Sequence, residues 1–140
     1  MDAPRAVGFW LKLLDRLIER DLDRVLAPFE LTRRDWQILN LLRDSPRAVD
    51  AIDAELAMFT DRPSGIGERL EVLISSGWVE LNETGEAVMA ANARHRFDAV
   101  LTSVSTARRR IAAGVERADY ETTISTLTIM CQNLGWDGAT

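Results

Sequence analysis

The fold is decided by residues 31–39, which read Leu31-Thr32-Arg33-Arg34-Asp35-Trp36-Gln37-Ile38-Leu39. Thr32 and Asp35 lie three residues apart, the spacing of a reciprocal cap at a helix N-terminus, with Asp35 in the place usually taken by Glu. Trp36 and Leu39 start an apolar row at helical spacing, and Pro46 stops the segment. The stretch therefore predicts a short, capped helix with one buried face.

Downstream of this helix, short apolar segments follow in close succession. Helical spacing recurs over about Val49 to Met58 and again over about Ser64 to Ser75. Gly77 suits the left-handed residue that ends a helix, and Trp78–Leu81 alternates like a short strand. Three short helices followed by a strand are typical of a winged helix-turn-helix unit.

Longer amphipathic segments flank this unit on both sides. The first covers about residues 5–26, and Asn82 is a candidate cap for a helix that runs to about Gly114. A last helix starts near Asp119 and stops before Gly135. Both terminal stripes carry more large apolar residues than the small unit could cover, which predicts a second subunit. The residues expected in that dimer interface are Val7, Trp10, Leu14, Tyr120, Ile124, Leu127 and Leu134.

Composition narrows the class of protein. The 140 residues are 46% hydrophobic and 28% charged, with a net charge of −5, which fits one globular domain over 1–140. No apolar run is long enough to span a membrane, and no secretory signal is recognisable. The single Cys131 cannot form an internal disulfide, and one Cys with one His is too little for a metal site. The sequence therefore predicts a cytoplasmic protein without a metal, a cofactor or a catalytic constellation.

The order of motifs resembles that of MarR-family regulators. Residues 31–39 are similar to the L-T-x-x-x-W-x-(V/I)-L signature of that family's second helix. Residues 63–80, from Pro63-Ser64-Gly65-Ile66 to Gly77-Trp78-Val79-Glu80, resemble the recognition helix and its strand. Residues 81–87 are similar to the family's L-T-x-x-G-x-x entry to the fifth helix. Together the matches cover about residues 8–134.

The resemblance implies a mainly α fold and a homodimer that binds double-stranded DNA at a palindromic operator. The winged helix-turn-helix core would cover about 31–90, and the dimerisation helices about 5–26 and 87–136. The fourth helix would enter the major groove, and the second would contact phosphates. The candidate DNA-binding residues are Arg33, Arg34, Arg62, Ser64, Gly65, Glu68 and Arg69.

Several of these residues keep a second interpretation. Arg33 and Arg34 either contact phosphate or are simply solvated. Arg62 and Ser64 flank the start of the recognition helix, and whether they contact DNA is left open. Arg69 reads a base edge from the exposed side of that helix, or forms an ion pair with a nearby Glu.

A small-molecule effector is also implied, since family members bind such ligands between the dimer helices and the winged domain. Trp10, Trp36 and Phe97 are the candidates that could line its pocket. Core packing is the alternative for each of the three aromatic residues.

Two features depart from the family pattern. Trp78–Leu81 runs almost directly into the expected cap at Asn82, which predicts a wing cut to a stub. Residues 31–90 hold six Arg and no Lys against eleven Asp and Glu, so the negative charge lies in the module that should meet DNA. The sequence therefore predicts a dimeric DNA-binding transcriptional regulator, a repressor, and leaves one alternative. That alternative is a winged-helix dimer without DNA binding, acting in protein interaction or ligand sensing.

Overall fold

Six α-helices and one two-stranded hairpin make up the parts of the chain that the computed structural model describes, residues 5–57 and 66–138. The fold is mainly helical, as predicted. In chain order the elements are α1 (Val7–Leu26), α2 (Arg33–Leu41), α3 (Val49–Leu56), α4 (Gly67–Ser75), β1 (Val79–Leu81), β2 (Ala87–Met89), α5 (Arg94–Ile111) and α6 (Arg117–Asn133). Short 3-10 turns precede α2 and α5, at Ala27–Phe29 and Ala91–Ala93.

The chain divides into two compact units, one up to Ala107 and the other from Arg108 onward. The first unit holds the winged helix-turn-helix and its core. That core is formed by the inward rows of the short helices together with the sheet and the first part of α5, and it includes Ile38, Leu39, Ile52, Leu73, Val79 and Val100. Burial of these aliphatic side chains is the main force that holds the short helices together, because none of them is long enough to be stable alone.

The wing is longer than the sequence predicted. β1 and β2 pair antiparallel, with Val79 opposite Met89 and Leu81 opposite Ala87. A further bridge joins Arg47 to Ala87, so a third segment of backbone lies beside the hairpin. The expectation of a stub was therefore wrong, because residues 87–89 form a strand and not the first turn of a helix.

Asn82 has a different role from the one predicted. Its side-chain oxygen accepts hydrogen bonds from the Thr84 and Glu86 backbone N–H groups, at 3.1 and 2.9 Å. Gly85 takes a positive φ of 80°, which closes the turn between the two strands. Asn82 thus organises the tip of the wing, and α5 begins twelve residues later, at Arg94.

The second unit consists of the end of α5, a turn and α6. Gly114 has a φ of 79° in the turn that separates the two helices. Along α6 no residue is buried in the single chain. A helix with large apolar side chains and no buried face needs another surface to cover it.

Candidate nucleic-acid interface

The N-terminus of α2 is closed by the predicted capping box. The Asp35 backbone N–H donates to Thr32 Oγ1 at 3.1 Å, and the Thr32 backbone N–H donates to Asp35 Oδ2 at 2.9 Å. Two of the backbone N–H groups that a helix start leaves without an intrahelical partner are satisfied in this way. The cap sets where α2 begins and therefore where Arg33 and Arg34 emerge.

Asp35 also binds a side chain of α4, the helix predicted from the sequence to be the recognition helix. Its carboxylate is 1% exposed, and both oxygens accept hydrogen bonds from Arg69, Nε to Oδ1 at 2.9 Å and Nη2 to Oδ2 at 2.7 Å. This is the side-on, bidentate geometry in which a guanidinium matches a carboxylate best. Since Asp35 belongs to α2 and Arg69 to α4, the ion pair joins the two helices of the helix-turn-helix.

The environment of Arg69 keeps it charged. The hydrogen bond to Asp35 raises the pKa of Arg69, with smaller contributions from the charges of Asp35 and Glu68, while burial acts in the opposite direction. A hydrogen-bonded acidic partner favours the charged form of a cation, so Arg69 stays positively charged beside Asp35.

Arg69 is therefore not placed as the sequence suggested. It was expected on the exposed side of α4, either at a base edge or paired with a nearby Glu. Its partner is the buried Asp35, 34 residues away, and its side chain is only 34% exposed. A pairing between residues so far apart in the chain has no signature in a single sequence.

Arg33 and Arg34 emerge at the start of α2, as predicted, but both have protein partners. Arg33 bridges to α1, with Nη1 2.8 Å from Glu19 Oε1 and Nε 3.0 Å from Asp23 Oδ1. These groups are 40 to 55% exposed, so water screens the pairs and they exchange readily for other anions. Arg34 donates to the Leu56 carbonyl at 3.4 Å, at the end of α3.

The outward face of α4 carries acidic and apolar side chains. Glu68, Glu71, Val72 and Ser75 are exposed at helical spacing, while Leu70 and Leu73 are buried on the opposite side. The remaining predicted DNA contacts, Arg62, Ser64 and Gly65, lie outside the described residues. The start predicted for this helix at Ser64 and the end of the preceding one at Met58 lie outside them as well.

The aromatic candidates separate into two groups. Trp36 and Phe97 are 5% and 3% exposed, and their rings stack with centroids 5.6 Å apart and planes inclined by 24°. Trp10 is 55% exposed on α1, where it packs edge-on against Phe9 at 5.2 Å. The structure thus brings two of the three residues together as part of the core and leaves the third on a surface.

Most residues predicted for the dimer interface are exposed within their own unit, while Leu127 is half-buried. In the first unit, α1 exposes Val7, Trp10 and Leu14 to about half of their surface. In the second, Tyr120 and Ile124 are similarly exposed and Leu134 is 91% exposed. An open groove of about 510 Å³ on this second unit is lined by Ile124, Leu127, Thr128, Cys131, Leu134 and Trp136. Cys131 is exposed in the single chain.

Solved structures with the same arrangement of helices and hairpin are numerous. The repressor CouR bound to p-coumaroyl-CoA has a TM-score of 0.74 and 21% identity, over 90% of this chain and 91% of that one. The same repressor bound to a 23-mer DNA duplex has a TM-score of 0.73 and 19% identity, over 90% and 92%. A MarR family protein of Mycobacterium tuberculosis in complex with DNA has a TM-score of 0.70 and 20% identity, over 96% and 100%.

The chain has the MarR fold. The resemblance found in the sequence is confirmed at the level of architecture, because long terminal helices flank a winged helix-turn-helix in the order that was predicted. The sequence itself matches no protein-family model and no curated protein. α4 is the helix that the resemblance predicts to be the recognition helix.

Other classes of site leave no trace in the part of the chain that is described. Over residues 5–57 and 66–138, no three His, Cys, Asp or Glu side chains are grouped so that they could hold a metal ion. Within the same residues, the helices of this MarR fold are all too short or too polar to cross a membrane.

Proposed function

We propose that this protein is a DNA-binding transcriptional regulator, a repressor, that acts as a homodimer. The observation that carries the proposal is the joined pair of α2 and α4, held by Asp35 and Arg69 in a fold that two DNA-bound neighbours share. Such a pair presents α4 to the major groove and the start of α2 to the phosphates. The protein acts by binding, without catalysis, in the compartment that holds the DNA, the cytoplasm.

Arg33 and Arg34 are the proposed phosphate contacts, and Arg62, Ser64, Gly65 and Glu68 the proposed contacts of the recognition segment. The ion pairs of Arg33 with Glu19 and Asp23 support its role, since exposed pairs contribute little stability and a phosphate can replace either carboxylate. Arg69 is not among the proposed DNA contacts, because its hydrogen bonds to Asp35 would have to break before it could reach a base.

The dimer follows from the exposed apolar faces of α1 and α6. Val7, Trp10 and Leu14 share the stripe on one helix, and Tyr120, Ile124, Leu127 and Leu134 lie on or just beyond the other. Apolar surface of this extent is unfavourable in water and is usually covered by a partner. A closed dimer with two-fold symmetry would bring two copies of α4 to successive turns of a palindromic operator.

A small-molecule effector belongs to the same proposal. CouR has been solved with p-coumaroyl-CoA and, separately, with DNA. A ligand that binds one arrangement of the two recognition helices better than another shifts the dimer between operator-bound and free states. Trp10, on the exposed face of α1, is the proposed aromatic contact, while the stacked Trp36 and Phe97 would form the floor of such a pocket.

A second candidate function is favoured by the acidic surface of α4. Glu68 and Glu71 are exposed on the face that would approach phosphates, where carboxylates are repelled. A winged-helix dimer that binds another protein or a small ligand, and not DNA, would have no need of a basic face.

The test is selection of bound duplexes from a random pool with the purified protein at low salt, followed by titration of the selected duplexes against salt. The regulator predicts a palindromic site with half-sites about one helical turn apart and an affinity that falls as salt rises. If no sequence is enriched even at low ionic strength, the proposed DNA-binding function is excluded. The second candidate function, binding of another protein or a small ligand, then takes its place.

A further inference from the structure

The face of α4 that would enter the groove offers hydrogen-bond acceptors in place of cations. Glu68, Glu71 and Val72 are exposed at positions i, i+3 and i+4, so their side chains share one side of the helix. Between Gly67 and Ser75 the sequence holds a single basic residue, Arg69. The chemistry available to α4 for reading a base is therefore that of two carboxylates and a branched apolar side chain.

Arg69 cannot supply the missing cation at low cost. It donates to both oxygens of Asp35, and that carboxylate is 1% exposed. Withdrawal of the guanidinium would leave a buried negative charge without its partner, which is among the most unfavourable changes that a folded protein can make. Arginine is the usual reader of guanine, through the O6 and N7 acceptors, and here the arginine of α4 is bound to Asp35.

Base edges differ in how well they fit carboxylates. Guanine presents only acceptors in the major groove, so a carboxylate is repelled by it. Adenine has an amino group, but its N7 acceptor lies beside that donor and opposes the second carboxylate oxygen. Cytosine presents the N4 amino group without a neighbouring acceptor on the same base, and it is the usual partner of Glu. The methyl groups of Val72 fit the C5-methyl group of thymine in the same groove.

We infer that Glu68 and Glu71 are specificity-determining residues that read cytosine amino groups in the operator, while Arg69 acts as the counter-charge of buried Asp35. The inference rests on the proposed DNA-binding function and adds the class of base that α4 recognises. It also explains why acidic residues stand on a face that would otherwise be repelled by DNA. Their repulsion by the phosphates is offset by the hydrogen bonds they accept on the floor of the groove.

The experiment repeats the selection from a random pool with the wild-type protein and with three variants, Glu68→Gln, Glu71→Gln and Asp98→Asn. Glutamine has the shape of glutamate and binds adenine by a donor and an acceptor, so each Gln variant is expected to move one C·G position of the half-site toward A·T. The expected change in preference is about tenfold, the value of one good base contact. Asp98 is exposed on α5, so its variant removes the same charge away from α4 and is expected to keep the wild-type site.

A modified duplex tells which strand is read. With 7-deazaguanine opposite the selected cytosine, the wild-type affinity is expected to stay within twofold, because the carboxylate touches cytosine alone. A tenfold loss would show that a cation reads guanine N7, and it would overturn the inference. An unchanged preference in both Gln variants would overturn it as well, while the regulator function would stand. If the wild-type protein enriches no sequence, both the function and the inference fail.

Discussion

Arg69 donates from Nε and Nη2 to the two carboxylate oxygens of Asp35, at 2.9 and 2.7 Å, across the junction between α4 and α2. The same carboxylate accepts the backbone N–H of Thr32. One buried acidic side chain therefore both caps a helix and orients its neighbour. Among the described residues, Asp35 is the only charged side chain that is buried.

Replacement of Arg69 by alanine is expected to lower the free energy of unfolding by about 2 to 3 kcal/mol. The reason is that Asp35 stays buried and loses two charged hydrogen bonds. Urea denaturation monitored by circular dichroism measures the change.

The double variant with Asp35→Ala and Arg69→Ala separates the ion pair from the rest of the effect. It should lose less stability than the sum of the two single variants, because no unpaired charge remains. Arg117→Ala is a matched control, since its pair with Glu121 is 93% and 63% exposed and contributes little. Strict additivity of the two single changes would argue against the coupling.

Arg33→Gln is expected to weaken DNA binding while leaving the fold intact. One phosphate contact is lost, so the affinity should fall evenly across sequences and the slope of log affinity against log salt should drop by about one. The free energy of unfolding should change by less than about 1 kcal/mol, because the pairs with Glu19 and Asp23 are exposed. Fluorescence anisotropy with a selected duplex gives the slope.

Arg24→Gln serves as the control for that measurement. Arg24 pairs with Asp21 along α1. Its substitution removes the same charge as Arg33→Gln, but from a position outside the helix-turn-helix. An equal loss of affinity in both variants would mean that only the overall charge matters, and Arg33 would not be a specific contact.

Leu14→Glu and Ile124→Glu are each expected to convert a dimer into monomers. A charged group placed in an apolar interface must lose its hydration without gaining a partner. Size-exclusion chromatography with light scattering reports the mass of each variant. Leu81→Glu is the control, since Leu81 is 53% exposed but belongs to β1 and to neither of the two helices. A dimer that survives both helix substitutions would show that the interface lies elsewhere.

Phe97→Ala is expected to lower the free energy of unfolding by about 3 to 5 kcal/mol, because it removes a buried ring that stacks on Trp36 and leaves a cavity. Thermal or urea denaturation measures the loss. Val72→Ala, on the exposed side of α4, should stay within about 0.5 kcal/mol of the wild-type protein. A loss of less than about 1 kcal/mol for Phe97→Ala would favour an open pocket at this position over a packed core.

The role of Asn82 could not be predicted from the sequence. An Asn followed three residues later by Gly suits a helix cap or a tight turn, and nothing local distinguishes the two. Strand formation at 87–89 decides the matter, because Ala87 pairs with both Leu81 and Arg47. A short apolar segment forms a helix or a strand depending on the segments that pack beside it. The sequence therefore predicted the longer helices but not the second strand of the wing.

By itself, the sequence determined the features that depend on periodicity and on residues close in the chain. These include the capping box of Thr32 and Asp35, the long helices α1 and α6, and the ordered motifs that carry the resemblance to MarR-family regulators. The tertiary structure alone decided which side chains far apart in sequence meet. Arg69, which was expected to read a base edge from the exposed side of α4, pairs with the buried Asp35. Arg33 pairs with acidic residues of α1. The physical reason is that helical spacing fixes which way a side chain faces, whereas a pairing across 34 residues depends on how the helices pack.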